Sequence, residues 1–363
     1  MEKIKFLSAA CAAVMLLAGC SAPVKKEHIS PPEMPEANEV PDDITITGEE
    51  MRESAWYQEM CSEILNFEYH CQVSERVSNG DVKKALAQLP NDYPEIFWLG
   101  DRYSASTCTG GSKVDLGLMK DLEEEKIPEM AAELEEKGNE IIAGVPDGST
   151  YDKVLYIHDY IADNCTYDHA GADSPDNGLW GTSYGCLVNG SAVCQGYAEA
   201  FIYLMNKLGI ESGICTGSNH AWNYVNIDGK YYWLDITWDD MDSYVEGYQA
   251  EHIYFLVDSD MILRSRNIDW TQGYFPDCSS KDENYFVKNG AYFENYDRDK
   301  ILEYIDSQAD KPHCEFMFSN YDAYKEALYD LLDDGKIYKA SSVDREKMKY
   351  YRVDKMFALD VIY

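Results

Sequence analysis

Three residues of this 363-residue chain, Cys194, His220 and Asp235 in that order, have the types and spacing for acyl-transfer chemistry. A cysteine nucleophile needs a lowered thiol pKa, a base within reach of its proton and a third group to orient that base. Cys194, Ala198, Phe201, Leu204, Met205 and Leu208 recur at helical spacing and Gly209 closes the run, which puts Cys194 in the first turn of a helix. The macrodipole favours a thiolate there, and the backbone N–H groups point to where an oxyanion would develop. Taken singly, each residue has a plain reading: Cys194 as a small core side chain, His220 as any histidine, Asp235 as a turn former. Set in order on a helix start and two strands, they form a candidate catalytic set.

The strands must bring His220 and Asp235 together. Asp228-Gly229 is a strong hairpin signal between strands expected over 214–227 and 230–238. A two-residue loop pairs Ile227 with Lys230 and sets Trp222 opposite Asp235. His220 then shares the face of Trp222, with its Cα ~7–8 Å from that of Asp235. A four-residue loop keeps this register, whereas a three-residue loop would put the two residues on opposite faces. Upstream, Ser149-Thr150-Tyr151-Asp152 has the form of a capping box opening a helix over about 150–163, with Val154, Leu155, His158 and Ile161 at helical spacing. His158 reads as a packed or surface histidine. A glycine-rich, irregular stretch, 170–191, separates that helix from Cys194.

Three motifs now stand in order: Ala192-Val193-Cys194-Gln195-Gly196-Tyr197-Ala198, His220-Ala221-Trp222-Asn223 and Leu234-Asp235-Ile236-Thr237-Trp238-Asp239. They resemble the transglutaminase-like superfamily. The segment from Lys153 to Asp168, with His158-Asp159-Tyr160 and Tyr167-Asp168, is similar to the helix preceding the nucleophile in bacterial members, so the likeness covers about 146–260. The resemblance implies a papain-like α+β core, the cysteine helix packed on an antiparallel sheet bearing the histidine and the aspartate. It further implies Cys194 as nucleophile, His220 as proton shuttle, Asp235 as its orienter, and an acyl-thioester intermediate. Water would then give hydrolysis and a lysine-type amine a cross-link; the family includes transglutaminases, proteases and peptide-modifying amidases, so the acceptor stays open. The Cys194 N–H is the first oxyanion donor, and Tyr167 or a residue of 170–191 is the candidate for the second. Calcium, required by some animal members, is not implied.

The composition bounds the partners. With 66 acidic and 31 basic residues the formal charge is −35, which argues against nucleic acid and anionic headgroups and favours basic peptide or protein substrates at low salt. Lys3 and Lys5, an apolar run and Leu17-Ala18-Gly19-Cys20 resemble a bacterial lipoprotein signal, with Cys20 as the lipidated residue. The expectation is a protein held by its lipid on the extracytoplasmic face of a bacterial membrane. The domain reading runs 1–19 signal peptide, 20–46 disordered acidic Pro-rich tether, 47–145 N-terminal α+β unit, 146–280 catalytic core and 281–363 C-terminal α+β unit. Within these units strands are expected over 65–73, 93–99, 253–257 and the last fourteen residues. Helices are expected behind an Asp81 cap and ended by Pro90, and over 115–142, 297–307 and 321–334.

Setting Cys11 and Cys20 aside leaves nine cysteines, an odd number that flags a free thiol. No C-x-x-C and no helically spaced histidine pair is present, so neither metal nor cofactor is expected, and Asp239-Asp240-Met241-Asp242 reads as a solvated acidic turn. The competing reading is a non-catalytic peptide- or glycan-binding lipoprotein of the same fold, its cleft lined by Trp222, Trp233 and Trp238. Thiol reactivity separates the two.

Overall fold

The computed structural model describes residues 48–174, 176–240, 250–269 and 275–362; Cys20, the tether 20–46 and Asp242 lie outside them. The fold is α+β. It divides into two compact units, with the boundary between Tyr285 and Phe286.

The larger unit begins with helices α1 (Gly48–Glu53) and α2 (Ala55–Leu65), strand β1 (His70–Val73), α3 (Asn79–Asp92) and the strands β2 (Leu99–Cys108) and β3 (Gly111–Leu118). These strands form an antiparallel sheet in the order β1-β3-β2. Next come α4 (Ile127–Ala143), α5 (Thr150–Asn164), β4 (Thr166–Tyr167), α6 (His169–Ala172), α7 (Ser183–Leu187) and β5 (Ser191–Ala192). The site-bearing elements follow: α8 (Cys194–Leu208), β6 (Ser212–Gly217), β7 (His220–Ile227), β8 (Lys230–Leu234), α9 (Ile236–Asp239) and, further on, α10 (Ser259–Ile262).

Several expectations from the sequence are met closely. Helix α5 starts at the expected capping box, Ser149 Oγ accepting the Asp152 N–H at 3.2 Å and the Asp152 carboxylate accepting the Ser149 N–H at 2.8 Å. Helix α8 spans Cys194–Leu208 and ends on Gly209 in the left-handed conformation. Strands β7 and β8 pair Ile227 with Lys230 and Asn223 with Leu234, the register a two-residue loop requires. Asp228 (φ 52°) and Gly229 (φ 88°) both take the positive φ of such a loop.

Elsewhere the chain departs from the pattern. The alternation over 65–73 is overridden by α2, whose Trp56, Tyr57, Met60, Cys61 and Ile64 form a buried helical face; the strand begins only at His70. Ser78, not Asp81, caps α3, with Asp81 as its capping-box partner three residues on, and Pro90 sits inside the last turns. The 93–99 stretch is mostly loop, and 111–118 is a strand, so the helix expected over 115–142 starts at Ile127. Residues 253–257 form a buried turn with Leu256 at φ 53° and a single bridge from Val257 to Trp233. The strand expected to run through 214–227 is two strands, folded back at Ser218-Asn219 with both residues at positive φ. That second tight turn starts β7 at His220.

One apolar core serves all of these elements. Trp56, Cys71 and Val114 belong to the same buried cluster as Val154 and Ile161 of α5, Phe201 and Leu204 of α8, and Val225 and Leu234 of the second sheet. Helix α8 lies at its centre: every residue from Gly196 to Met205 is buried. Such all-round burial demands an apolar helix, and Glu199 is the exception. Asn223 on β7 ties the layers together, its Nδ2 donating to Ala198 O of α8 at 3.1 Å and to Gly213 O of β6 at 3.2 Å. Two bonds from one buried amide fix the nucleophile helix against the histidine strand, each worth about 1 kcal/mol.

The smaller unit, described over 286–362, carries a four-stranded sheet in the order Lys349–Val353, Ala358–Ile362, His313–Phe318, Tyr292–Phe293. Its helices Arg298–Ser307 and Tyr321–Ala327 fall where expected, while the central strand His313–Phe318 was not anticipated. Among the described residues no helix is long and apolar enough to cross a membrane.

Candidate active site

Cys194 is the first residue of α8. Val193 before it is extended (φ −96°, ψ 176°) and offers no capping side chain. The first N–H groups of a helix have no acceptor within it, so Cys194 and Gln195 present backbone donors at the thiol. Gly196 lets the preceding loop close on this turn: a Cβ there would meet the Trp180 and Thr182 carbonyl oxygens at 2.9 Å.

His220 opens β7 directly after the Ser218-Asn219 turn. Its Nε2–H donates to Asp235 Oδ2 at 2.8 Å, which leaves Nδ1 free of that carboxylate, and both His220 and Cys194 line the same cleft. Trp222 stacks on the ring at 5.8 Å and Trp238 meets it edge-on at 6.4 Å. Burial opposes the imidazolium, but the Asp235 carboxylate and the Cys194 contact outweigh it and raise the pKa to about 9. Asp235 follows β8 and is fully buried. Burial alone would raise its pKa, yet His220 and Arg266 hold it below the usual carboxylate value.

Arg266 belongs to no motif, and the sequence carries no signal for it. The structure puts its guanidinium on Asp235, Nε at 2.8 Å and Nη2 at 2.6 Å from Oδ2. It packs against two adjoining rings, 4.6 Å from the centroids of both Trp238 and Tyr254. The segment bearing it runs beside the end of β6, where the Asp269 N–H donates to Thr216 O at 2.8 Å. A Cβ on Gly217 would fall 1.6 Å from Asn267 O, so only glycine permits that approach.

A cleft of about 720 Å³ opens on Cys194 and His220, with Gln195, Thr216, Ser218, Asn219, Asn267 and Asp269 making most of its remaining wall. The wall is polar, suited to peptide backbone and uncharged polar groups. Tyr167, a candidate for the second oxyanion donor, packs edge-to-face on His169 at 5.0 Å, and the described cleft wall is drawn from other segments. Of the three tryptophans expected along a binding cleft, Trp222 and Trp233 are interior and Trp238 alone is exposed, at 46%.

Behind the site a second polar group fixes α9. His158 is wholly buried, donating from Nδ1 to Asp159 Oδ1 at 2.9 Å and from Nε2 to Asp239 Oδ2 at 3.2 Å. His252 Nε2 adds a bond to the same Asp159 oxygen at 3.1 Å. Burial would deprotonate His158, but its two carboxylates raise its pKa, while burial lifts that of Asp239 to about 6. The Asp239 carboxylate also accepts the Tyr254 N–H at 3.0 Å. Asp239 and Asp240 are thus buried rather than part of a solvated acidic turn; Asp240 accepts the Tyr197 hydroxyl proton. His158, Asp159 and His252 are the group among the described residues whose donor atoms could converge on a metal ion, lying within 4.8 Å of one another.

Residues 137–258 match the family model of the transglutaminase-like superfamily. The match covers the helix of Cys194 and the hairpin of His220 and Asp235. The matched region contains Cys194, His220 and Asp235 and ends before Arg266. Among solved structures, the core is similar to a protein described as a TGase, at 17% identity over 50% of this chain and 52% of that one, with a TM-score of 0.28. It is also similar to a proposed cysteine protease from Cytophaga hutchinsonii, at 17% identity over 38% of this chain and 61% of that one, with a TM-score of 0.24. The chain therefore spans little more than half the length of either. A search of curated proteins gave no match.

Proposed function

We propose that the protein is a cysteine enzyme that attacks peptide or protein amides through an acyl-thioester, with Cys194, His220 and Asp235 as nucleophile, proton shuttle and orienter. What carries the reading is one arrangement: a thiol at an uncapped helix start and an imidazole held 2.8 Å from a buried carboxylate, both lining one cleft. The Cys194 thiolate adds to the amide carbonyl carbon, and the carbonyl oxygen, now an anion, faces the N–H groups of Cys194 and Gln195. The His220 imidazolium gives its proton to the leaving nitrogen, the C–N bond breaks, and a thioester remains. An incoming water or amine loses a proton to His220 as it attacks, and the C–S bond breaks to return the thiolate.

The −35 charge supports a preference for basic peptides, and Asp269 supplies a carboxylate in the cleft wall. The lipobox supports attachment through Cys20 to the outer face of a bacterial membrane. The test is to mix the full-length protein with basic, neutral and acidic peptide amides, quench in acid and weigh the protein. An acyl adduct on Cys194, absent in Cys194→Ser and discharged faster when amines are added, is the expected result. An unmodified Cys194 with every class of amide would overturn the reading.

A further inference from the structure

We propose that Arg266 is a positioning residue of this site, directing the Asp235 carboxylate at His220. The inference rests on the catalytic reading of Cys194, His220 and Asp235, and it adds a fourth residue from outside the matched family region.

The geometry is unusual in one respect. A guanidinium commonly meets a carboxylate as a fork, one N–H to each oxygen. Here Nε at 2.8 Å and Nη2 at 2.6 Å converge on Oδ2, the oxygen that also accepts His220 Nε2 at 2.8 Å. The other oxygen, Oδ1, is buried with no hydrogen-bond partner among the described residues. Three donors on one oxygen hold the carboxylate in place beneath the imidazole.

Arg266 itself is held by aromatic faces. Trp238 belongs to α9 and Tyr254 to the buried turn after it, so the two rings, each 4.6 Å away, come from separate segments. The guanidinium is 6% exposed and cannot exchange Asp235 for water. Only arginine offers two adjacent N–H donors on a planar group that also stacks, so lysine is a poor substitute.

The charged and titratable groups that act on His220 and Arg266 are Cys194 on α8, Asp235 after β8 and Tyr254 on the turn, and Asp239 on α9 in turn acts on Tyr254. Arg266 has two opposed effects: its bonds keep Asp235 aimed, and its charge weakens the pull of Asp235 on the imidazolium.

These effects separate by experiment on the full-length protein. The His220 midpoint is read by NMR of carbon-13-labelled histidine, assigned with His220→Ala, and the Cys194 thiol by its iodoacetamide rate at pH 7. In Arg266→Met the midpoint moves up by about half a unit or more, opposite to the shift in Asp235→Asn. In Arg266→Lys, which keeps the charge and loses the paired donors, the midpoint stays near wild type while labelling slows about threefold or more. A folded Arg266→Met with an unmoved or lowered midpoint overturns the proposal, as does Arg266→Lys labelling at the wild-type rate. Should Arg266→Met not fold, the lysine variant decides. If wild-type Cys194 is itself no faster than the other thiols, the catalytic reading fails, and the midpoints still report whether Arg266 governs Asp235.

Discussion

His220 is a cation in a place that resists charge. Its ring is 16% exposed, stacked on Trp222 and met edge-on by Trp238, yet a carboxylate 2.8 Å away keeps the proton on until about pH 9. Because the folded pKa lies above the ordinary value of about 6.5, the pairing stabilises the fold fully below that pH. The contribution is lost as the pH rises through about 9. Asp235→Asn removes the main charge holding the proton, and the His220 midpoint measured by NMR should drop below that of wild type. An unchanged midpoint would mean that Asp235 is a structural cap and not the orienter of the imidazole. The sequence made these two residues legible because one opens the first strand of a tight hairpin and the other directly follows the second. Arg266 was not legible: it reaches Asp235 from 31 residues away through an irregular segment, and no periodicity or turn signal marks such an approach.

At the level of elements, two contacts control where the catalytic side chains sit. His158 fastens α5 to α9 across 81 residues by pairing with Asp239. His158→Leu leaves Asp239 buried without its cation and should cost about 3–5 kcal/mol in denaturant unfolding; a loss under about 1 kcal/mol would refute a buried ion pair. Gly217 lets 267–269 lie against the end of β6, next to the turn that delivers His220. Gly217→Ala must push that segment away, so Cys194 labelling should slow in a protein whose unfolding midpoint is also lowered. An alanine variant matching wild type in both would show that the close approach is dispensable. Helix α8 and the β7–β8 register could be read in advance because apolar residues at helical spacing closed by a glycine, and an Asp-Gly turn, are local signals. The β2–β3 hairpin was missed although Gly110-Gly111 interrupts alternating residues, since the acidic run from Asp115 was read as helical. Ser218-Asn219 was missed because its positive φ values need tertiary support at non-glycine positions. His158 looked like an ordinary packed histidine because its partner lies far along the chain.

Across the whole molecule, the apolar cluster running from Trp56 to Leu256 makes the N-terminal helices and first sheet part of the body that carries the site. A fragment spanning 48–285 should therefore unfold cooperatively and keep its reactive thiol, whereas 146–280 alone, stripped of Trp56, Met60 and Val114, should be unfolded by circular dichroism. Independent folding of the shorter fragment would contradict a shared core. The net charge of −35 acts at the same scale, and any preference for basic over acidic peptide substrates should shrink as salt is raised. The most direct measurement is the rate at which iodoacetamide modifies each of the nine described cysteines between pH 5 and 8, by peptide mapping, in wild type and His220→Ala. Cys194 should react far faster than the other eight well below pH 8 and lose that advantage in His220→Ala. Labelling at Cys194 no faster than at the other thiols, or equally fast without His220, would contradict an activated nucleophile at this site.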